Sequence, residues 1–134
     1  KIKAILDKKH LDYQDLGTNS DSAPSDYPDF AQKVGQSILG PTDRGVLVCY
    51  TGTGMCIAAN KIKGIRASVV WNLFTAKRSR EDNDSNVLCL PAKFITNTNL
   101  EKILNLWLET KFSGQERHIR RLNKINKIES KKSK

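Results

Sequence analysis

The chain has 134 residues, of which 38% are hydrophobic and 28% are charged. That length suits one domain with one core, and no apolar run approaches the roughly 18 residues of a membrane-spanning helix. The formal charge is +9, and the stretch 117–134 holds eight Lys or Arg against one acid, a net +7. We therefore predict a soluble single-domain protein with a basic end and no place in a membrane.

The first third of the chain predicts a helix, a short strand, a loop and a second helix. Residues 1–10 show helical apolar spacing, and 11–16 are typical of a short strand. The Ser-, Asn- and Asp-rich stretch 18–25 predicts a loop. Pro28 suits a first helical turn, and the apolar residues after it predict a helix that ends at Gly40.

The remainder of the chain repeats this alternation of strands and helices. Gly45–Tyr50 is an unbroken apolar run, as expected of a strand that is covered on both faces. The later elements predicted in chain order are a helix over 55–62, a strand over 65–71, a helix capped by Asn72 and ending at Glu81, a strand over 87–90, a helix capped by Asn99 and a helix over 115–128. This order predicts a three-layer α/β/α sandwich on a doubly wound, parallel, Rossmann-like sheet. Since such sheets rarely begin with a helix, we expect another strand to precede Lys1.

A strand end, a glycine-containing turn and a helix start follow one another in Cys49-Tyr50-Thr51-Gly52-Thr53-Gly54-Met55. The turn would lie at the carboxyl end of a parallel strand, where backbone amides at a helix start bind anions. A thiolate of Cys49 at this position can act as a general base beside a carbonyl group. Taken alone, these residues also fit a structural turn after a buried strand cysteine.

An ordered series of motifs extends over nearly the whole chain. The series comprises Asp26-Tyr27-Pro28, Cys49-x-Thr51-Gly52-x-Gly54, Ile57-Ala58-Ala59-Asn60-Lys61, Gly64-Ile65-Arg66-Ala67, Ser79-Arg80-x-x-Asn83-Asp84-x-Asn86 and Gly114-x-x-Arg117-His118-x-x-Arg121. In this order the motifs resemble those of type B ribose-5-phosphate isomerase. The resemblance implies a cytoplasmic aldose–ketose isomerase that interconverts ribose 5-phosphate and ribulose 5-phosphate through an enediolate, with no metal or organic cofactor.

The resemblance also implies a role for each matching position. Cys49 would be the base that moves a proton between C1 and C2, with help from Thr51, and Asp82 takes the position of the family's ring-opening histidine. The substrate-binding positions would be Gly52, Thr53 and Gly54 for the enediolate oxygen, Tyr27 and Asn83 for the sugar, and Arg117 and Arg121 for the phosphate. The i, i+4 spacing of the two arginines supports a phosphate clamp independently.

The resemblance further implies a homodimer with shared active sites, in which Cys49 and Asp82 come from different subunits. Two apolar helix faces favour the same conclusion, because one small domain is not expected to bury both. These faces are Leu100, Ile103, Leu104 and Trp107 on one helix, and Ile119, Leu122 and Ile125 on the next.

Two alternatives stay open for the function and for the basic end. Residues 1–128 are predicted to form the isomerase domain and 129–134 a basic tail, which would either bind nucleic acid or be a solvated helix end. The second candidate function is a catalytically weakened relative that serves as a binding or structural subunit. It is favoured by Tyr50, Asp82, the lack of a first strand and the basic tail.

Several other residues are predicted to have no part in catalysis. Cys56 and Cys89 are expected to be reduced, buried thiols, since they show no CxxC spacing. His118 is expected on the solvent-facing surface of the last helix. Trp71 and Trp107 are expected to pack in the core or at an interface.

Overall fold

A computed structural model of the chain describes residues 1–22 and 24–132. Its elements are α1 (Ile2–Lys8), α2 (Tyr27–Ser37), β1 (Gly45–Cys49), α3 (Thr53–Ala59), β2 (Ala67–Val69), α4 (Leu73–Glu81), β3 (Val87–Pro91), α5 (Asn97–Glu109) and α6 (Glu116–Lys132). The strands of this part of the chain form one parallel sheet in the order β1-β3-β2. The predicted α/β, Rossmann-like fold is confirmed.

Helices cover both faces of the sheet, and each face has its own cluster of buried residues. The cluster under α1, α4 and α5 consists of Ile5, Val70, Ala76, Leu88, Leu90, Ile103, Leu104 and Trp107. The cluster under α2 and α3 consists of Ala31, Leu47, Met55, Ala59, Ile65, Val87 and Cys89. All five residues of β3 are buried, as expected of the central strand of a parallel sheet that is covered on both faces.

The prediction of a strand over 11–16 is wrong. These residues form no regular element in the structure. A strand exists only through hydrogen bonds to a neighbouring strand, and β1 is paired with β3 rather than with this segment. Alternating apolar residues are therefore present in 11–16 without the partner that would make them a strand.

The observed helix ends show where local sequence signals were sufficient to predict a cap or an end and where they were not. Asn72 caps α4 through a capping box with Thr75, as predicted. Thr96, not Asn99, caps α5, because its hydroxyl oxygen accepts the Asn99 amide at 3.3 Å. Helix α6 continues to Lys132, past its predicted end, and residues 133–134 of the predicted tail lie outside the described residues. No helix within 1–22 and 24–132 has both the length and the hydrophobicity needed to cross a bilayer.

The apolar face of α5 is buried within the chain, which corrects the prediction that a partner is needed to cover it. Ile103, Leu104 and Trp107 are at most 1% exposed and lie in the core. The face of α6 behaves differently, since Ile119 and Ile125 remain 43% and 46% exposed. Of the two helix faces named in the prediction, that of α6 therefore remains as an argument for a partner.

Arg80 joins the end of α4 to the segment that leads into α6. Its side chain is 4% exposed and donates hydrogen bonds to the carbonyl oxygens of Thr110, at 3.1 Å, and Ser85. It also forms an ion pair with Asp84 at 2.9 Å. The backbone amide of Ser113 donates to the Glu81 carbonyl at 3.1 Å, which holds the start of α6 near the end of α4.

We predict that Arg80→Ala lowers the free energy of unfolding by about 3–5 kcal/mol, because it leaves buried polar partners uncompensated. Urea denaturation followed by circular dichroism measures this loss. Lys77→Ala, which removes an exposed ion pair on the same helix, is the control and should cost less than about 1 kcal/mol. Equal losses in the two variants would contradict the prediction.

Candidate active site

The turn between β1 and α3 requires glycine at two positions. Gly52 has φ 75°, in the left-handed region that favours glycine, and an added Cβ would lie 3.2 Å from the Pro91 nitrogen. An added Cβ at Gly54 would lie 2.7 Å from Cζ of Tyr27, so the tyrosine ring occupies the space of a side chain there. The glycines thus allow the turn to approach β3 closely and Tyr27 to lie against it.

The turn lies at the carboxyl end of the sheet, directly after β1, and it holds several hydrogen-bond donors. The Thr53 amide donates to Thr51 Oγ1 at 3.3 Å. Because the Thr51 oxygen accepts that bond, its hydroxyl proton remains available for a ligand oxygen. Amides in the first turn of a helix have no acceptor within the helix, so Gly52 and Gly54 lie where amides can bind an anionic oxygen.

Cys49 ends β1 beside an open crevice. It is partly exposed and pairs in register with Pro91. The crevice has a volume of about 300 Å³ and is lined by Thr51, Val69, Trp71, Pro91 and Phe94. Trp71 is 55% exposed there, whereas Trp107 is buried in the core. A small ligand in this crevice would lie next to the turn, and Cys49, the register partner of Pro91, is not itself among the residues that line it.

The other two cysteines are placed for packing. All three cysteines are free, and Cys89 is fully buried. A hydrogen bond to Cys56, together with burial, raises the pKa of the Cys89 thiol and keeps it neutral. Cys56 is only partly buried, and its thiol donates to the Ala67 carbonyl at 3.3 Å. No group of three or more His, Cys, Asp or Glu side chains suited to a metal ion occurs in the described part of the chain.

The remaining predicted site residues lie at the opposite edge of the sheet. Asp82 is the C-cap of α4, and with Asn83 it belongs to the connection that enters β3 at its amino end. Arg117 lies at the start of α6, beside this connection, and Arg121 is one turn further along the helix. Cys49 is at the carboxyl end of the sheet, more than about 13 Å away along the strands. One chain therefore divides the predicted site into two halves.

His118 is buried in the amino-end half, so the prediction that it faces solvent is wrong. It is 4% exposed, and its Nε2 lies 3.5 Å from Asp82 Oδ1 and accepts a hydrogen bond from Arg117 Nε at 3.3 Å. Asp82 Oδ2 is also 3.1 Å from Arg78 Nε. Helical spacing in the sequence did not show which side of α6 would contact the end of α4.

Sequence reasoning also missed residues that follow β3. The Lys93 amide donates to the Tyr50 carbonyl at 3.1 Å, which places an exposed lysine beside the Cys49 turn. Phe94 lines the crevice and is 69% exposed. Their position immediately after a parallel strand was the available signal. Tyr50 itself is 67% exposed and is not among the residues that line the crevice.

Comparisons with known proteins agree with one another. A family model described as Ribose/Galactose Isomerase matches residues 1–125. A putative sugar phosphate isomerase of Bacillus subtilis is 41% identical, over 98% of this chain and 88% of its own. Ribose-5-phosphate isomerase B of Clostridium thermocellum superposes with a TM-score of 0.91 at 40% identity, covering 97% of this chain and 87% of its own. Ribose-5-phosphate isomerase B of Mycoplasma genitalium, with bound ribulose-5-phosphate, has a TM-score of 0.85 at 41% identity, covering 96% and 87%.

Proposed function

This chain belongs to the ribose/galactose isomerase family, and we propose that it interconverts ribose 5-phosphate and ribulose 5-phosphate as an aldose–ketose isomerase. The observation that carries the proposal is the 41% identity to the Mycoplasma genitalium isomerase that holds ribulose-5-phosphate. The turn from Cys49 to Gly54 supports it, because the chemistry needs a base and donors to an oxyanion.

In the proposed mechanism, Cys49 as a thiolate takes the proton from C2 of the open-chain aldose. The electrons of that C–H bond form the enediolate, whose oxygen accepts hydrogen bonds from the Thr51 hydroxyl and from the amides of Gly52 and Gly54. The thiol then returns the proton to C1 while the hydroxyl proton moves from O2 to O1, which gives the ketose. The Thr53 amide contributes by holding the Thr51 hydroxyl in place.

We place the complete site between two copies of the chain. The carboxyl-end half provides the base and the oxyanion donors, and the amino-end half provides Arg117, Arg121 and Asp82. Each half alone lacks what the other supplies. A homodimer with a two-fold axis would bring the halves together twice and form two identical sites.

Exposed apolar side chains at both ends of the molecule support this homodimer. Tyr50, Phe74 and Phe94 are 67%, 72% and 69% exposed near the carboxyl end of the sheet, and α6 exposes Ile119 and Ile125. Clustered apolar surface of this kind on a small domain marks an interface. A second copy of the chain is the partner that would also complete the site.

The other assigned residues contribute to substrate binding in this arrangement. Tyr27 is 49% exposed with its ring against Gly54, and it lines the sugar pocket from one copy while Asn83 lines it from the other. Asp82 takes the proton of the anomeric hydroxyl and delivers it to the ring oxygen as the bond between that oxygen and C1 breaks, which opens the sugar ring. The proposal includes a cytoplasmic location, which the three free cysteines favour.

The test of the function is an assay of the purified protein with ribose 5-phosphate in deuterium oxide. We expect ribulose 5-phosphate to form, with exchange of the C2 hydrogen. A six-carbon aldose phosphate, tested in parallel, measures how narrow the substrate range is. Binding of ribose 5-phosphate without turnover would instead favour a binding or structural subunit.

Arg117 and Arg121 are proposed to clamp the phosphate, and their removal should affect binding. Each charge-assisted contact is worth about 1.5–3 kcal/mol, so Arg117→Ala and Arg121→Ala should each raise KM by roughly one to two orders of magnitude. Arg120→Ala on the exposed face of the same helix is the matched control and should change KM less than about twofold. An unchanged affinity in the Arg117→Ala/Arg121→Ala double variant would refute the clamp.

A further inference from the structure

His118 lies between a hydrogen-bond donor and a carboxylate that suit its two protonation states. Its Nε2 accepts a hydrogen bond from Arg117 Nε at 3.3 Å, which requires that Nε2 carries no proton. The same nitrogen lies 3.5 Å from Asp82 Oδ1, which suits a protonated Nε2. The side chain is 6% exposed, so water competes little with either partner.

We infer that His118 is a positioning residue, which holds Arg117 for phosphate binding while the imidazole is neutral and releases it on protonation. The inference rests on the proposed function, in which Arg117 binds the phosphate. A hydrogen bond through Nε leaves the two terminal amino groups of Arg117 for a bidentate contact with phosphate oxygens. It therefore fixes the guanidinium without using the atoms that bind the ligand.

Protonation of His118 reverses this arrangement. The acceptor for Arg117 is lost, and an imidazolium cation then faces the guanidinium cation. The new N–H is directed to Asp82 Oδ1 instead.

The charges around His118 come from both helices that meet there. On α4, the Asp82 carboxylate faces His118 Nε2 through Oδ1, and Arg78 contacts the same carboxylate through Oδ2. Glu81 pairs with Arg78 and Lys77 at 3.4 and 3.7 Å, and so it balances those two cations. On α6, the Arg117 guanidinium donates to the same nitrogen. His118 Nε2 therefore faces a cation and a carboxylate, and the presence of a proton on this nitrogen decides which of the two it binds.

A ratio of KM values at one pH isolates the effect of His118. Phosphate monoesters themselves titrate near pH 6, so the affinity of any phosphate site changes in this range. Dividing the KM of a variant by that of the native enzyme at the same pH cancels the titration of the ligand. At pH 8.5 kcat should change less than KM in the His118 variants, because Arg117 binds the phosphate and Cys49 acts on carbon. At pH 5.5 kcat also reflects Asp82, which takes part in ring opening and faces His118.

The experiment measures KM and kcat for ribose 5-phosphate at pH 5.5 and 8.5 in the native enzyme and in His118→Gln. The glutamine carboxamide can accept from Arg117 and does not titrate. We expect equal KM values at pH 8.5, and at pH 5.5 a KM about tenfold lower in His118→Gln than in the native enzyme. His118→Leu, which removes the acceptor, should raise KM about tenfold at pH 8.5 with kcat within about twofold of native.

A second comparison keeps His118 in place and tests whether its effect on KM depends on Arg117. The KM of Arg117→Ala relative to native should fall about tenfold from pH 8.5 to pH 5.5, because the native enzyme has already released Arg117 at the lower pH. If KM changes with pH in the same way in the native, His118→Gln and Arg117→Ala enzymes, the inference is refuted. The proposed isomerase function would not be affected by that result. A protein that neither binds nor isomerises ribose 5-phosphate would overturn the proposed function, and the inference with it.

Discussion

Cys49→Ala is expected to lower kcat by roughly 10²–10⁴-fold, the contribution that a positioned general base makes to proton transfer. The variant lacks the thiolate that is proposed to take the C2 proton, while the proposed oxyanion donors and arginine clamp remain. Exchange of the C2 hydrogen with deuterium oxide should therefore be lost together with ketose formation. The affinity for ribose 5-phosphate, measured by calorimetry, should stay within about threefold of native, since the phosphate supplies most of the binding energy.

Cys56→Ala is the matched control for Cys49→Ala. Cys56 lies on the adjoining helix α3, and its thiol donates to a backbone carbonyl rather than facing the crevice. This variant should keep kcat within about threefold of native. Turnover near the native level in Cys49→Ala would refute the assignment of the base.

Mixing Cys49→Ala chains with Arg117→Ala/Arg121→Ala chains should restore activity, although each variant alone is nearly inactive at low substrate. In the proposed homodimer the defects lie in opposite halves of the site, so one of the two sites in each mixed dimer would have native residues throughout. Random exchange of subunits makes about half of the dimers mixed, and about a quarter of the native activity should return. Activity is measured after subunit exchange at substrate concentrations well below the native KM.

A second mixture is the control for this recovery. Cys49→Ala and Thr51→Ala alter the same half, so every site in a mixed dimer would retain one defect and no activity should be gained. Analytical ultracentrifugation establishes the mass of the native protein in parallel. A monomeric mass, or no gain with the first mixture, would contradict the shared site.

The fold was predictable because its signals are local. The apolar run that became β1 and the helix cap at Asn72 each depend on a few neighbouring residues, and both were found as predicted. The strand prediction for 11–16 was wrong because a strand needs a neighbouring strand, and a local pattern does not show whether one is present. The prediction that a partner covers α5 was wrong for a related reason. An apolar helix face does not show whether the residues that cover it come from the same chain or from another.

Within the candidate site, the sequence alone predicted which residues would carry chemistry: a cysteine at a strand end, a glycine turn and two arginines on one helix. It also determined the α/β class, through the alternation of apolar periods along the chain. Only the tertiary structure decided where these residues lie, because the parallel direction of β1 and β3 places Cys49 and Asp82 at opposite edges of the sheet. It likewise decided that His118 is buried between Asp82 and Arg117. Both facts depend on contacts between residues far apart in the chain, whereas helix and strand periodicity depends on near neighbours.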